Sequence, residues 1–272
     1  MGKQRLDLLL VERGLVDNQE EAKRFIMAGT VFSEQLRLDK PGLKVDDSIS
    51  LTIKRKSIPY VGRGGLKLEK ALTFFDIDLQ NKIMVDVGSS TGGFTDCALQ
   101  NGVKLSYAID VGYNQLDWKL RNDERVIVME RTNFRYVTPD LLKNGSPNFA
   151  TIDVSFISLK LILPVLKKIL TRDSEVVALI KPQFEARKEQ VGKKGIVRDK
   201  QVHLGVLRQI LSFAKKEGFK VQNITYSPIT GGDGNIEFLG YFRWETKKEE
   251  NDYGDENLLQ LVLSAHKELA EI

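Results

Sequence analysis

The chain has 272 residues, of which 42% are hydrophobic, and it carries a net charge of +4. These values predict one or two globular domains, and no stretch approaches the ~18–20 uninterrupted apolar residues that a membrane-spanning helix needs. A single cysteine, Cys97, excludes an internal disulfide framework, and with only two histidines a His/Cys metal cage is not available, so we expect no metal site.

Charge is unevenly distributed along the chain. From Glu245 onward three Lys/Arg stand against eight Asp/Glu, so residues 1–244 carry a net charge of +9. A basic body with an acidic tail favours a polyanionic partner. The N-terminal segment lacks the pattern of a secretory signal, and together with the lone thiol this leads us to expect a cytoplasmic protein.

Residues 1–56 have the pattern of a small unit of their own. A leucine-rich helix over residues 6–10 ends at Gly14, and a second helix over residues 19–28 begins at the capping pair Asn18 and Glu21. Short strands are expected at residues 30–32 and 48–53, on either side of a Pro41-Gly42 turn. The basic residues of this unit include Lys3, Arg5, Arg13, Lys23, Arg24, Arg37 and those at 54–56.

The ordered segments RLDLLLVERGL, EEAKRFIMAGTV and PGLKVDDSISL resemble the S4 RNA-binding domain, an α+β module with two helices and a small sheet. The resemblance implies that a basic helix face meets RNA phosphates. A solvated basic helix is the alternative. The residues expected to bind RNA here are Arg5, Arg13, Lys23 and Arg24.

Residues 57–62 are predicted to form a linker around Ser57-Ile58-Pro59. The glycines at positions 62, 64 and 65 then precede a helix in which Leu68, Leu72 and Phe75 share one apolar face. Lys67 begins this helix, where the macrodipole disfavours a cation by about 0.3–1 kcal/mol. Simple solvation of a helical lysine is one reading of that position, and a role at a functional site is the other.

Ile83 to Phe94, IMVDVGSSTGGF, runs from a buried strand through a glycine-rich turn into a helix. Its G-x-x-x-G-G spacing has Ser90 where a dinucleotide-binding turn has its second glycine, so a pyrophosphate is not the expected ligand. Asp86 suits a ligand with an amine or hydroxyls, and Asp110, which ends the next strand 24 residues later, is placed to bind a ribose diol. The pattern resembles motif I of S-adenosylmethionine-dependent methyltransferases; an ordinary strand–turn–helix with surface acids is the alternative.

From Ile83 onward, strand and helix patterns alternate, which predicts an α/β fold with a mostly parallel sheet and helices on both faces. An antiparallel hairpin is expected at the sheet edge, and residues 245–272 form an acidic spacer and a terminal helix that packs on the body or on another subunit. His266 is interpreted as structural, His203 as a surface or packing residue and Cys97 as core. The predicted strands cover 83–88, 105–110, 126–130, 149–154, 176–180, 221–226 and 236–242, and the helices 93–100, 115–121, 159–170 and 200–216.

Three more charged residues lie at the predicted ends of strands: Asp153, Lys181 and Glu237. A lysine directly after a buried strand is costly to desolvate unless carboxylates are close. We therefore expect Asp153 and Glu237 to pair with Lys181.

The segments YVGRGGLKLEKAL, DVGSSTGGFTDCALQ, AIDVGYNQLDWKLR, ERTNFR, IDVSFISL, LIKPQFEA and GIVRD follow the S4-like unit in this order. Together they resemble the TlyA (hemolysin A) family, which is similar to FtsJ-type ribose 2′-O-methyltransferases. The resemblance implies a Rossmann-like methyltransferase domain over residues 63–244 that methylates a cytidine ribose of ribosomal RNA, free or in a ribosomal subunit, with S-adenosylmethionine as donor. It also implies a catalytic tetrad of Lys67, Asp153, Lys181 and Glu237.

In that scheme Lys181 orients the ribose hydroxyl and takes its proton, with Lys67 as a cationic neighbour, and which lysine is the base stays open. No metal is needed, because the leaving group departs neutral. The donor is expected to contact Gly88, Ser90 and Gly92 at its methionine end, Asp86 at its amine, Asp110 at its ribose and Asn133 at its adenine. Further RNA contacts are expected from Arg63 and from a loop that closes over RNA or is simply solvated, with Arg187, Lys188, Lys193, Lys194 and Arg198.

Two other functions compete with this one. A membrane-active haemolysin would need an exposed apolar span or a strongly amphipathic helix, and only the terminal helix is a candidate. A non-catalytic RNA-binding or ribosome-assembly protein would have no need of four converging charges.

Overall fold

A computed structural model of the chain describes residues 2–27, 29–34, 36–53, 58–231, 234–245, 247, 249, 251 and 253–269. The side chain of Arg24 and the basic residues 54–56 lie outside this set. The chain separates into two compact units, Met1–Ile58 and Pro59–Ile272. The division falls within residues 57–62, which the sequence predicts to be a linker, and the S4 character of the first unit stays a prediction.

The first unit surrounds a small core that includes Leu6, Leu10 and Ile26. Strand β1 pairs antiparallel with β4, and β2 pairs antiparallel with β3 and β5. Among the described residues of this unit, the helices are α1 (Leu6–Glu12) and α2 (Gln19–Met27), and the strands are β1 (Lys3–Arg5), β2 (Val31–Ser33), β3 (Leu36–Arg37), β4 (Lys44–Asp46) and β5 (Thr52–Ile53).

Local hydrogen bonds explain where this unit agrees with the sequence and where it differs. The Asn18 side chain accepts from the Glu21 amide at 2.9 Å, as expected of an N-cap, but the Glu21 carboxylate accepts from the Asp17 amide, one residue before the predicted donor. The strand predicted over 48–53 is right only for β5 and wrong over residues 48–51. There the Asp46 side chain accepts from the Ser48 amide at 3.0 Å and forms a turn that ends β4.

The second unit contains a seven-stranded sheet in the order β11-β12-β10-β9-β6-β7-β8. All neighbours are parallel except β12, which is antiparallel to both β10 and β11. The predicted α/β class, mostly parallel sheet and terminal hairpin are confirmed. The strands are β6 (Ile83–Val87), β7 (Leu105–Ile109), β8 (Val126–Met129), β9 (Phe149–Ile152), β10 (Ser174–Ile180), β11 (Phe219–Tyr226) and β12 (Phe238–Trp244).

Helices cover both faces of this sheet. Along β6, Val85 and Val87 point into one hydrophobic core and Met84 into the other, as expected for a strand buried on both sides. The helices in the described part of this unit are α3 (Gly64–Phe75), α4 (Gly93–Gln100), α5 (Trp118–Arg121), α6 (Leu163–Ile169), α7 (Pro182–Glu185), α8 (Lys200–Lys216) and α9 (Asp255–Leu269).

Three helix starts differ from the prediction. Helix α3 begins at Gly64, so Lys67 is its fourth residue rather than its first. The helix predicted over 115–121 begins only at Trp118, because the Asp117 side chain accepts from the Lys119 amide at 2.9 Å and caps the helix there. The helix predicted over 159–170 is divided into a short 3₁₀ turn and α6, whose first turn contains a proline.

The terminal helix α9 packs on α8 and β11 through its predicted apolar stripe. His203 Nδ1 on α8 lies 2.8 Å from His266 Nε2 on α9, and burial, followed by the charge of His266, lowers the pKa of His203 to about 4. Both histidines therefore serve packing, and the buried Cys97 lies in the core. In the part of the chain that the structure describes, none of the helices is both long and apolar enough to cross a membrane. The stripe residues buried on α9 are Leu258, Val262, Ala265 and Leu269.

Candidate active site

A cavity of about 430 Å³ opens where strands β6, β7 and β9 end. The chain proceeds from β6 outward to β7 and β8 and then returns to β9 on the other side of β6, so the cavity lies at the point where strand order reverses. Its volume is within the ~300–1,000 Å³ of small-molecule sites. Among the residues proposed from sequence, Gly88, Ser90, Asp110 and Asn133 line it, together with Asp153.

Glycine is required at the start of the loop after β6. Gly88 has φ +86°, and a Cβ atom on it would lie 2.5 Å from the carbonyl oxygen of Asp153. Gly92 has φ +95° and is the N-cap of α4, but it is absent from the cavity lining, and a Cβ there would collide with Leu120. Gly88 thus keeps the cavity wall open, whereas Gly92 serves helix entry and packing.

The two polar residues at the other side of the cavity are held by backbone amides. Asp110 accepts from the Ser90 amide at 2.8 Å and from the Gly112 amide at 2.7 Å. Asn133 accepts from the Arg135 amide at 3.1 Å through its side-chain oxygen. Both side chains are therefore fixed in orientation before any ligand arrives.

Asp86 is placed differently from the sequence prediction. Its side chain is fully buried and absent from the cavity lining, and its two oxygens accept from the hydroxyls of Thr95 at 2.7 Å and Thr151 at 2.8 Å. Burial raises the pKa of Asp86 to about 6, against the opposing effect of the two threonine hydrogen bonds. Asp86 therefore ties β6 to α4 and β9 beneath the loop, and it is not placed to contact a ligand's amine.

Four charged side chains form two ion pairs: three of them lie at the ends of neighbouring strands, and the fourth, Lys67, lies on α3. Lys67 Nζ lies 2.6 Å from Glu237 Oε2, with only 10% and 3% of these side chains exposed. Lys181 Nζ lies 2.5 Å from Asp153 Oδ1 and donates to Ser155 Oγ at 3.2 Å. The expected pairing of Lys181 with Asp153 is present, while Glu237 pairs with Lys67.

Strand register places the two pairs at the same edge of the sheet. Ile180 of β10 lies opposite Phe238 of β12, so Lys181 and Glu237 follow and precede residues that face each other. The side-chain amide of Gln183 donates through Nε2 to Glu237 Oε1 at 3.3 Å and connects the Lys181 loop to the second pair. Because Asp153 also lines the cavity, the Lys181–Asp153 pair stands at the cavity wall.

Sequence reasoning missed the aromatic side chain beside this pair. Phe156 is 91% exposed, lines the cavity and has φ +62°, a conformation unusual for a bulky residue. Its ring lies 4.9 Å from that of Phe184 in the Lys181 loop. The available sign of this residue in the sequence was an aromatic side chain three positions after the acid that ends a strand. Its spacing does not distinguish an exposed aromatic residue from one in the core.

The residues proposed for RNA binding fall into two groups. In the first unit, Arg5 pairs with Asp7 at 2.7 Å, Lys23 pairs with Glu20 at 2.8 Å, and the Arg13 guanidinium donates to backbone carbonyls of residues 47 and 49. In the second unit the proposed residues are exposed: Arg63, Arg187, Lys188, Lys193, Lys194 and Arg198.

Comparison with known proteins gives one consistent family. Residues 60–244 match the sequence model of the family described as FtsJ-like methyltransferase. The protein named "Putative rRNA methyltransferase YqxC" of Bacillus subtilis is 60% identical over 99% of this chain and 96% of its own length.

A second relative, "16S/23S rRNA (cytidine-2'-O)-methyltransferase TlyA" of Mycobacterium tuberculosis, is 39% identical over 96% of this chain and 97% of its own. The solved structure titled "Putative hemolysin from Streptococcus thermophilus" is 51% identical, has a TM-score of 0.80, and is matched over 100% of this chain and 98% of that one.

Proposed function

The chain belongs to the FtsJ-like methyltransferase family, whose donor is S-adenosylmethionine, and we propose that it methylates a ribose 2′-hydroxyl of ribosomal RNA. The observation that carries the proposal is the Lys181–Asp153 pair, 2.5 Å apart, at the wall of the strand-end cavity. The names of the two relatives support ribosomal RNA as substrate, and that of the Mycobacterium tuberculosis protein supports cytidine.

The residues of the cavity fit the donor. Gly88 leaves the wall free of a side chain where a Cβ would meet the Asp153 carbonyl, and Asp110 and Asn133 present side chains already held by backbone amides. We propose that Gly88 and Ser90 hold the methionine end, Asp110 the ribose and Asn133 the adenine. When bound, the donor supplies an electrophilic methyl group on a sulfonium ion.

We propose separate roles for the four charged side chains. Paired with Asp153 and Ser155, Lys181 is a fixed hydrogen-bond donor that can hold the oxygen of a ribose hydroxyl at the cavity edge. Lys181 can accept the hydroxyl proton only after it has given up one of its own, so proton removal needs a second group. Lys67, held by Glu237 at 2.6 Å, supplies a second ammonium group at the same edge of the sheet.

We further propose that the exposed ring of Phe156 offers a stacking surface for a base of the substrate, because aromatic faces bind unpaired bases without regard to sequence. RNA contacts outside the cavity are proposed for the basic residues of the S4-like unit and of residues 187–198. A four-residue catalytic set that includes Lys67 and Glu237 remains part of this proposal.

The test is methyl transfer from labelled S-adenosylmethionine to ribosomal RNA and ribosomal subunits, followed by mapping of the modified ribose. We expect Lys181→Ala to lower the rate by at least ~10²-fold, the lower range for loss of a positioned acid or base. Lys168→Ala, which removes the same charge from an exposed position on α6, serves as control and should match wild type. Transfer by Lys181→Ala at the wild-type rate would contradict the proposal.

A further inference from the structure

Two segments leave neighbouring strand ends and run side by side: the loop of residues 153–159 after β9, and residues 181–186 after β10, which contain the single-turn helix α7 and are here called the Lys181 loop. They are joined at three successive places. Lys181 contacts Asp153 and Ser155, the ring of Phe184 lies 4.9 Å from that of Phe156, and Glu185 reaches the far end of the first loop. The first two connections belong to the site already described, and the third has no assigned role.

Glu185 uses both carboxylate oxygens to hold residues 158 and 159. Its Oε2 accepts from the Ser158 hydroxyl at 2.6 Å, and its Oε1 accepts from the Leu159 amide at 2.7 Å. The Ser158 oxygen in turn accepts from the Lys160 amide at 3.1 Å, so the serine is fixed from both sides. Hydrogen bonds to a charged acceptor in a partly desolvated place are short and strong. Burial raises the pKa of Glu185, and the hydrogen bonds from Ser158 and Leu159 oppose that rise.

The loop that Glu185 holds is the one that shapes the cavity. Val154, Ser155 and Phe156 line it, and Phe156 has φ +62°, which a bulky residue adopts only when its surroundings impose it. Residues 153 and 155 on the same loop are the partners of Lys181. A loop released at residues 158–159 would therefore be free to relax at Phe156 and to move the groups that orient Lys181.

We propose that Glu185 is a positioning residue for methyl transfer: by clamping residues 158–159 to the Lys181 loop, it keeps Asp153 and Ser155 where they orient Lys181. This inference rests on the proposed function. Glu185 does not itself line the cavity, and its described hydrogen bonds are to residues 158 and 159 rather than to the ion pairs, so its effect passes through the loop.

The test compares Glu185→Ala, Glu185→Gln and Ser158→Ala in labelled methyl transfer to ribosomal RNA. Glu185→Ala removes the clamp and should lower kcat by roughly 10- to 100-fold with little change in KM, the scale expected when a reacting group is misplaced by about 1 Å. Glu185→Gln should restore most of the activity, because its amide oxygen can accept from Leu159 and its NH₂ can donate to Ser158. Ser158→Ala removes one of the two hydrogen bonds, so its kcat should lie between those of Glu185→Ala and Glu185→Gln.

Glu124→Ala is the matched control, since it removes the same charge from an exposed position between α5 and β8 and should behave like wild type. Hydrogen exchange supplies a readout that does not need turnover. Amides of residues 153–162 should exchange faster in Glu185→Ala than in wild type or Glu185→Gln, with α8 unchanged.

Each outcome is decisive. A kcat of Glu185→Ala equal to that of wild type, or equal losses in Glu185→Ala and Glu185→Gln, would overturn the positioning role while leaving the proposed function intact. Faster exchange in residues 153–162 together with the kcat loss and rescue by glutamine would establish it. Absence of methyl transfer by the wild-type protein would instead overturn the proposed function, and the positioning role with it.

Discussion

Breaking the Lys67–Glu237 pair should destabilise the second unit far more than removing the whole pair. Lys67→Met leaves the Glu237 carboxylate without its ammonium, and Glu237→Gln leaves the Lys67 ammonium without its carboxylate. The double variant Lys67→Met/Glu237→Gln leaves neither charge uncompensated. The comparison separates the cost of an isolated buried charge from the value of the pair itself.

The magnitude follows from burial. With Nζ and Oε2 2.6 Å apart and side chains only 10% and 3% exposed, neither charge can be solvated when its partner is removed. Each single substitution should therefore lower the free energy of unfolding by about 3–5 kcal/mol, whereas replacing both members of a buried pair is often nearly neutral. The double variant should be more stable than either single variant and should still be inactive in methyl transfer.

Urea unfolding followed by tryptophan fluorescence measures this directly, because Trp118 and Trp244 both belong to the unit that contains the pair. Arg208→Met provides the control: it breaks an ion pair of 2.5 Å with Asp255 whose side chains are 46% and 72% exposed, and it should cost less than about 1 kcal/mol. If the two single effects simply add in the double variant, the reasoning from burial is refuted.

Three further predictions address the cavity, its support and the RNA surface. Gly88→Ala should weaken S-adenosylmethionine binding by at least ~10-fold, or about 1.4 kcal/mol, in calorimetric titration, because its Cβ would meet the Asp153 carbonyl. The pKa of Asp86 is raised from 3.8 to about 6, so the folded protein keeps a proton that the unfolded chain has released. The free energy of unfolding of wild type relative to Asp86→Asn should therefore fall by up to about 3 kcal/mol as pH rises from ~4 to ~6, measured by urea titration. Neutralising the exposed basic loop should lower RNA affinity in filter binding and reduce its salt slope by up to ~0.7–0.9 for each RNA phosphate that the loop no longer neutralises; the residues changed are Arg187, Lys188, Lys193, Lys194 and Arg198.

Each of these has a control and an opposing result. Gly205→Ala, inside α8 with open space around its Cβ position, should leave donor binding unchanged, and equal binding by Gly88→Ala would contradict the role of that glycine. A pH-independent difference between wild type and Asp86→Asn would mean that Asp86 does not titrate with a raised pKa. Unchanged RNA affinity and salt slope in the neutralised loop would remove its RNA role.

The alternation of elements in the second unit could be predicted from sequence because its buried strands and its longer helices are strongly patterned. The bounds of α4 (Gly93–Gln100) and α8 (Lys200–Lys216) agree with the prediction residue for residue. In the first unit, strands of two or three residues carry too little periodicity to be recognised, and β1, β3 and β4 were missed. Side-chain caps such as that of Asp117 moved other boundaries, since a local hydrogen bond outweighs a weak helical propensity.

The site shows the same division between local and distant information. Lys181 and Asp153 directly follow two strands that are neighbours in the sheet. The alternation of strands and helices in the sequence is enough to predict that these two strand ends lie close together. The partner of Lys67 lies 170 residues away, and that of Asp86 on β9 lies 65 residues away, so neither contact is visible in local spacing. The position of Asp86 was mispredicted for that reason. Both of its carboxylate oxygens accept hydrogen bonds from threonine hydroxyls, and the motif alone does not predict these partners.

The position of β12 in the sheet has a consequence for the order in which the protein folds as it is synthesised. Although β12 is the last of these strands to leave the ribosome, it lies inside the sheet, between β10 and β11. Strand β11 has no sheet partner among the described strands until β12 is in place, and Glu237 immediately precedes that strand. A nascent chain halted before residue 237 can shape the cavity ends of β6, β7 and β9 yet lacks the carboxylate that pairs with Lys67, so this ion pair forms only once β12 is being synthesised.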